Sequence, residues 1–111
     1  MAYDDELAER LREVLAPEKG VSEKRMFGGL AFLIGGHMAV AASRNGGLLL
    51  RCDPAATDAL LGERGADRFV MRGKAMDGWL YVDADAVTDD AALRRWVAHG
   101  VDYVRSLPVK G

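Results

Sequence analysis

The chain of 111 residues has one cysteine, Cys52, two histidines, and no apolar run near the roughly 18 residues that a membrane span needs. Each shortage excludes something. A lone cysteine cannot build an internal disulfide framework and fits a reducing cytoplasm, which is the expected compartment. No membrane association is expected. The opening stretch "MAYDDELAERL" is acidic and helical in pattern, so no signal peptide is expected there. Positive charge is not in excess: the formal net charge is −2 and the pI is about 5.6. A free-standing DNA binder usually carries a basic footprint, because phosphate neutralisation supplies most non-specific affinity. Direct nucleic-acid binding is therefore not expected.

Chemical motifs are equally scarce. The glycine pairs Gly28-Gly29 and Gly35-Gly36 lack the lysine and hydroxyl of a phosphate loop and the spacing of a dinucleotide fingerprint. His37, His99 and Cys52 show no paired spacing of metal ligands. Ser22, Ser43 and Ser106 sit in no nucleophile-elbow context. Cys52 follows Arg51 and precedes a helix start, a place that can lower a thiol pKa. The end of an apolar strand suits a small buried hydrophobe better. No set of acid, base and nucleophile can be named. No catalytic residue, metal or cofactor is expected, and the chain is read as non-enzymatic.

What is present describes a globular protein. Half the residues are hydrophobic and 29% are charged, and the length fits one domain over 1–111. Asp4, Asp5 and Glu6 suit a helix N-terminus, and Leu7, Leu11, Val14 and Leu15 share one helical face. Pro17 and Gly20 mark the exit. A strand is predicted over Met26 to Ile34, a two-residue turn at Gly35-Gly36, and a return strand from His37 to Ser43. Asn45-Gly46 is a second hairpin signal. A third strand follows from Gly47 to Cys52, completing an antiparallel meander. Asp53 as cap and Pro54 at the first helical position open a short helix that ends near Gly62 or Gly65. Strands are predicted over Asp67 to Arg72 and Trp79 to Asp83, with Gly73 to Gly78 as a turn or loose hairpin. Leu93, Trp96, Val97, Gly100, Val101, Val104 and Leu107 then keep helical spacing, with Thr88 or Asp89 as cap and Pro108 as the stop. Gly100 lies on that apolar face, which implies a close approach to the sheet.

The predicted fold is α+β: a two-layer sandwich with a five-stranded, mainly antiparallel sheet, helices on one face, and the order α-β-β-β-α-β-β-α. Alternation puts Leu30, Phe32, Ile34, Met38, Val40 and Ala42 on one sheet face and Ala31, Leu33, Ala39 and Ala41 on the other. A small apolar second face is expected to be covered by a partner, most simply a second copy in a homodimer.

One polar pattern stands out. Arg25, Arg51, Arg72 and Lys74 all fall at predicted strand ends, where they can form a cationic rim for a carboxylate or phosphate. Gly28 and Gly29 read as a bulge or close backbone approach. A second functional reading is a small-molecule or anion sensor with a pocket near Arg25, Arg72 and Trp79. Met26, Met38, Met71 and Met76 would help to line it.

"KRMFGGLAFLIGGHMAV", "GLLLRCDP" and "FVMRGKAMDGWLYVD", followed by an amphipathic helix, resemble the TfoX/Sxy N-terminal domain. The resemblance runs over nearly the whole chain, about Asp4 to Leu107, and "RMFGG", "GHMAV" and "MRGKAMDGW" carry most of its specificity. It implies a fold like that of secretion chaperones. It implies a role in competence and transcription regulation through a protein partner such as a transcription activator. Founding members carry a further helical domain, so this chain is read as a single-domain member. The resemblance supplies no catalytic residue. The residues expected to touch a partner or ligand are Arg25, Gly28, Gly29, Arg51, Arg72, Lys74 and Trp79.

Overall fold

The computed structural model describes residues 5–26, 29–43, 46–71 and 73–108, without the side chains of Met26, Met71, Lys74, Ala75 and Met76. Helix α1 spans Asp5–Leu15. Leu7, Ala8, Leu11 and Leu15 are buried there, the face that the apolar spacing required. Four strands follow: β1 (Val21–Met26), β2 (Gly29–Ile34), β3 (His37–Ala42) and β4 (Leu48–Arg51). A 3₁₀ turn, Pro54–Ala56, leads into the short α2 (Thr57–Leu61). Strands β5 (Ala66–Met71) and β6 (Lys74–Val82) come next. A second 3₁₀ turn, Ala84–Val87, precedes α3 (Asp90–Arg105).

The strands form one antiparallel sheet in the order β1-β2-β3-β4-β6-β5. It has six strands, where the sequence predicted five. The extra strand is β1, "VSEKRM", which pairs with the full length of β2 from Val21↔Ile34 to Met26↔Gly29. Its charged middle hides it from hydrophobic patterning, as is common at sheet edges, where charge discourages further pairing. The predicted single strand Met26 to Ile34 is thus corrected: the chain reverses between Met26 and Gly29. The hairpin predicted around Gly73 to Gly78 is formed by β5 and β6, but its extent is corrected, since β6 already begins at Lys74.

Other local readings hold. Gly35 and Gly36 both adopt positive φ (59° and 85°) between the paired residues Ile34 and His37. That is the backbone a two-residue hairpin demands. The Asp53 carboxylate accepts from the Ala55 backbone N–H at 2.9 Å, and Asp89 caps α3 by accepting from Ala92 N–H at 3.1 Å.

All three helices contribute to one core. Leu7 and Leu11 from α1, Leu60 from α2 and Leu93, Trp96 and Val101 from α3 join Leu30, Phe32, Val40, Leu48, Leu50, Leu80 and Val82 from the sheet. Gly100 explains how α3 comes so near. A Cβ built on it would lie 2.6 Å from the Ala39 carbonyl oxygen, inside any permitted contact.

That approach meets β3 at an irregularity. The register slips between Phe32 and Leu33, so that Phe32 faces Val40 but Leu33 faces Met38, leaving Ala39 as the extra residue. Ala39 therefore joins the helix-side core and Met38 joins the opposite face. The simple alternation had assigned both the other way. A bulge inside an unbroken apolar run leaves no mark in the period.

The second sheet face is a smaller cluster of its own. Ala31, Met38, Ala41 and Leu49 are buried there, with Leu33, Phe69 and Trp79 packed around them and partly exposed. The small residues are thus buried within the chain itself. A covering second copy is not needed to keep water from them.

Candidate functional site

Sheet register decides which of the expected contact residues can act together. Directly paired residues in an antiparallel sheet share a face. Arg51 pairs with Trp79, and Leu49 pairs with Tyr81, so Arg51 and Trp79 stand beside the second cluster. Arg25 pairs with Leu30, a residue of the helix-side core, and so faces the other way. It lies on β1, four strand positions from β6. Strand spacing alone makes that roughly 19 Å. A rim or pocket that joins Arg25 to Trp79 is therefore not formed. Gly28 and Arg72 lie outside the described residues, as does the side chain of Lys74.

Gly29 is a close backbone approach. A Cβ there would fall 2.1 Å from the Ala42 carbonyl oxygen on the neighbouring strand. Its partner is the sheet itself, so the glycine serves strand closure. Of the methionines proposed to line a pocket, Met38 lies in the second cluster with Trp79. Met26, Met71 and Met76 have side chains outside the described set.

Arg51 and Trp79 form the core of the candidate site. The Arg51 guanidinium carbon lies 5.3 Å from the Trp79 ring centroid and 5.4 Å from that of Tyr103 on α3. Both distances are within cation–π range. The site thus joins β4, β6 and α3 at one end of the sheet. Tyr103 was not singled out in the sequence. It lies beside the predicted apolar face of the last helix, and no sequence signal connects it to Arg51.

Charge pairing sets Arg51 apart. Arg10 is hydrogen-bonded to Asp90, Arg12 to Glu9 and Glu23, Arg68 to Asp58 and Asp77, Arg95 to Glu63, and Arg105 to Glu18. Among the described residues Arg51 has no ion pair, and it is half-buried rather than exposed. The remaining arginines without an ion pair there, Arg25, Arg64 and Arg94, are exposed to solvent.

Next to Tyr103 runs a groove of about 280 Å³, whose lining includes Cys52, Asp53, His99, Asp102 and Ser106. Cys52 is 1% exposed, and its Sγ lies 3.9 Å from the Thr57 hydroxyl. Burial pushes its thiol pKa up, outweighing that hydrogen bond. A thiolate is disfavoured there, which fits the reading of Cys52 as a small buried hydrophobe. His99 stacks obliquely near Trp96, with centroids 5.9 Å apart, and His37 Nε2 lies 2.6 Å from the Pro108 carbonyl oxygen. Among the described residues no cluster of three or more His, Cys, Asp or Glu side chains is placed to hold a metal ion. No helix among them is long and apolar enough to cross a membrane.

The architecture is an α+β domain with an open antiparallel sheet, its helices on one side, a small apolar cluster on the other, and an arginine–aromatic group that joins β4, β6 and α3 at one end of the sheet. A family model for the TfoX N-terminal domain matches residues 13–103, and the chain belongs to that family. No curated protein and no solved structure matches it.

Proposed function

We propose that this chain is a non-enzymatic regulatory domain that works by binding another protein, in keeping with its family. The observation that carries the reading is the sheet face turned away from the helices. There Leu33, Phe69 and Trp79 form a partly exposed apolar rim around a buried floor. Rims of this kind, with aromatic anchors, suit protein contacts. Competence or transcription regulation through an activator protein is the finer form of the proposal, supported by the family resemblance alone. Homodimer formation belongs to it as well, with the same rim as the meeting surface.

Two experiments test this. Affinity purification from the host proteome is run with the wild type and with Leu33→Glu. A specific partner is expected with the first and lost with the second. Light scattering at high micromolar concentration then measures the mass. No retained partner together with a monomeric mass overturns the proposal.

A further inference from the structure

We propose that Arg51 is the anchor of this surface and that it receives a carboxylate from an acidic segment of the partner protein. The inference rests on the protein-binding reading above and names the partner's chemistry.

The physical case starts with desolvation. A guanidinium that gives up part of its water needs compensation. Arg10 and Arg68 are half-buried too, and each has a carboxylate in return. Arg51 has two aromatic rings instead. Rings attract the cation through their π faces but accept no conventional N–H···O hydrogen bond. The guanidinium presents five N–H donors in a rigid fork. Among the described residues none of those donors has a protein acceptor. Trp79 and Tyr103 are bulky side chains on separate elements and restrict the arginine's rotamers. Holding the guanidinium between two rings lowers the ordering entropy that a ligand has to offset, which favours affinity.

Charge complementarity selects the occupant. Trp79, paired with Arg51, leads onto the apolar rim of Phe69 and Leu33, while Asp53 and Asp102 line the groove beside Tyr103. Lys24, which pairs with Ala31 on edge strand β1, adds an exposed cation on the face that carries Trp79. The fitting segment therefore carries an Asp or Glu next to apolar side chains. An arginine with tryptophan and tyrosine is also the composition in which binding energy concentrates.

The test reads the arginine directly. Nitrogen-15 spectra of arginine Nε–Hε groups are recorded while the protein is titrated with N-acetyl-aspartate methylamide, its asparagine twin, or inorganic phosphate. The exposed Arg25, Arg64 and Arg94 serve as internal references. The expected result is a saturable Arg51 shift with the aspartate compound, several-fold larger than at the references, and none with the asparagine twin. An Arg51 response no larger than that of the references overturns the proposal. A response to phosphate with none to the carboxylate also overturns it, in favour of a small-anion site. Arg51→Gln and Arg51→Lys are then compared in the proteome purification, with thermal unfolding as a fold control. Loss of the partner with Gln and weak retention with Lys supports the anchor role. Equal retention by wild type and Arg51→Gln overturns the anchor while leaving the protein-binding reading intact.

Discussion

Gly100 has no side chain, yet it fixes where α3 lies. Alanine is better than glycine in a helix interior by about 1 kcal/mol. At this position the new methyl would meet the Ala39 carbonyl oxygen at 2.6 Å, with the Ala39 carbonyl carbon at 3.2 Å. Backbone cannot swing aside as a flexible side chain can, so the helix has to lift from the sheet. Overpacking of this kind typically costs about 1–3 kcal/mol. Gly100→Ala should therefore gain no stability and lose up to roughly 2 kcal/mol in urea unfolding. A stabilised variant would show that the helix does not lie that close. Thr57 makes a second case. It is 1% exposed, and its hydroxyl accepts from the buried Gly78 N–H at 2.9 Å. Thr57→Val keeps the shape but leaves that donor unsatisfied, at a cost of about 1–3 kcal/mol. Thr57→Ser retains the acceptor and should recover most of the loss in the same assay.

At the scale of elements, legibility followed burial. The last helix was readable because Leu93, Trp96, Val97, Gly100, Val101 and Val104 are all buried along one stripe. The Gly35-Gly36 hairpin was readable because its turn needs a backbone that few residues accept. Edge strand β1 was not, since its middle residues Ser22 to Arg25 are exposed and give no apolar alternation. The Ala39 bulge was not readable either, because both neighbours in the run are apolar. Of the candidate site, the pairing of Arg51 with Trp79 depends on β6 lying between β4 and β5. Sequence order alone does not give that placement. Tyr103 depends on the angle at which α3 crosses the sheet. The turn offers a direct check. Gly36 holds φ at 85°, where an L side chain costs about 1–2 kcal/mol. Gly36→Ala should lose about that much in urea unfolding, with no change in native fluorescence. Unchanged stability would mean that the hairpin closes in some other way.

Across the whole molecule the described ion pairs lie largely at the surface, where each contributes little. The pH dependence of stability should instead reflect the groups that folding perturbs. Burial pushes the Cys52 thiol above its ordinary value near 9. It also pushes the Tyr81 phenol above its ordinary value near 10, and the charge of Asp83 acts in the same direction. Both groups are neutral when protonated, so the folded state holds their protons more tightly than the unfolded chain does. Their contribution is fully present below the unfolded pKa values and is lost as pH rises through the folded ones. Glu23 behaves oppositely. The hydrogen bond from Arg12 pulls its pKa down, so its contribution is present above the ordinary carboxylate value and is lost as pH falls. Urea midpoints followed by tryptophan fluorescence should therefore begin to fall above about pH 9. Cys52→Ala removes the first of the two alkaline groups. It should start from a lower plateau, because packing is lost, but its decline should begin nearer pH 10, where Tyr81 acts. If wild type and Cys52→Ala fall in parallel from the same pH, the thiol does not titrate with folding, and the burial assigned to Cys52 is wrong.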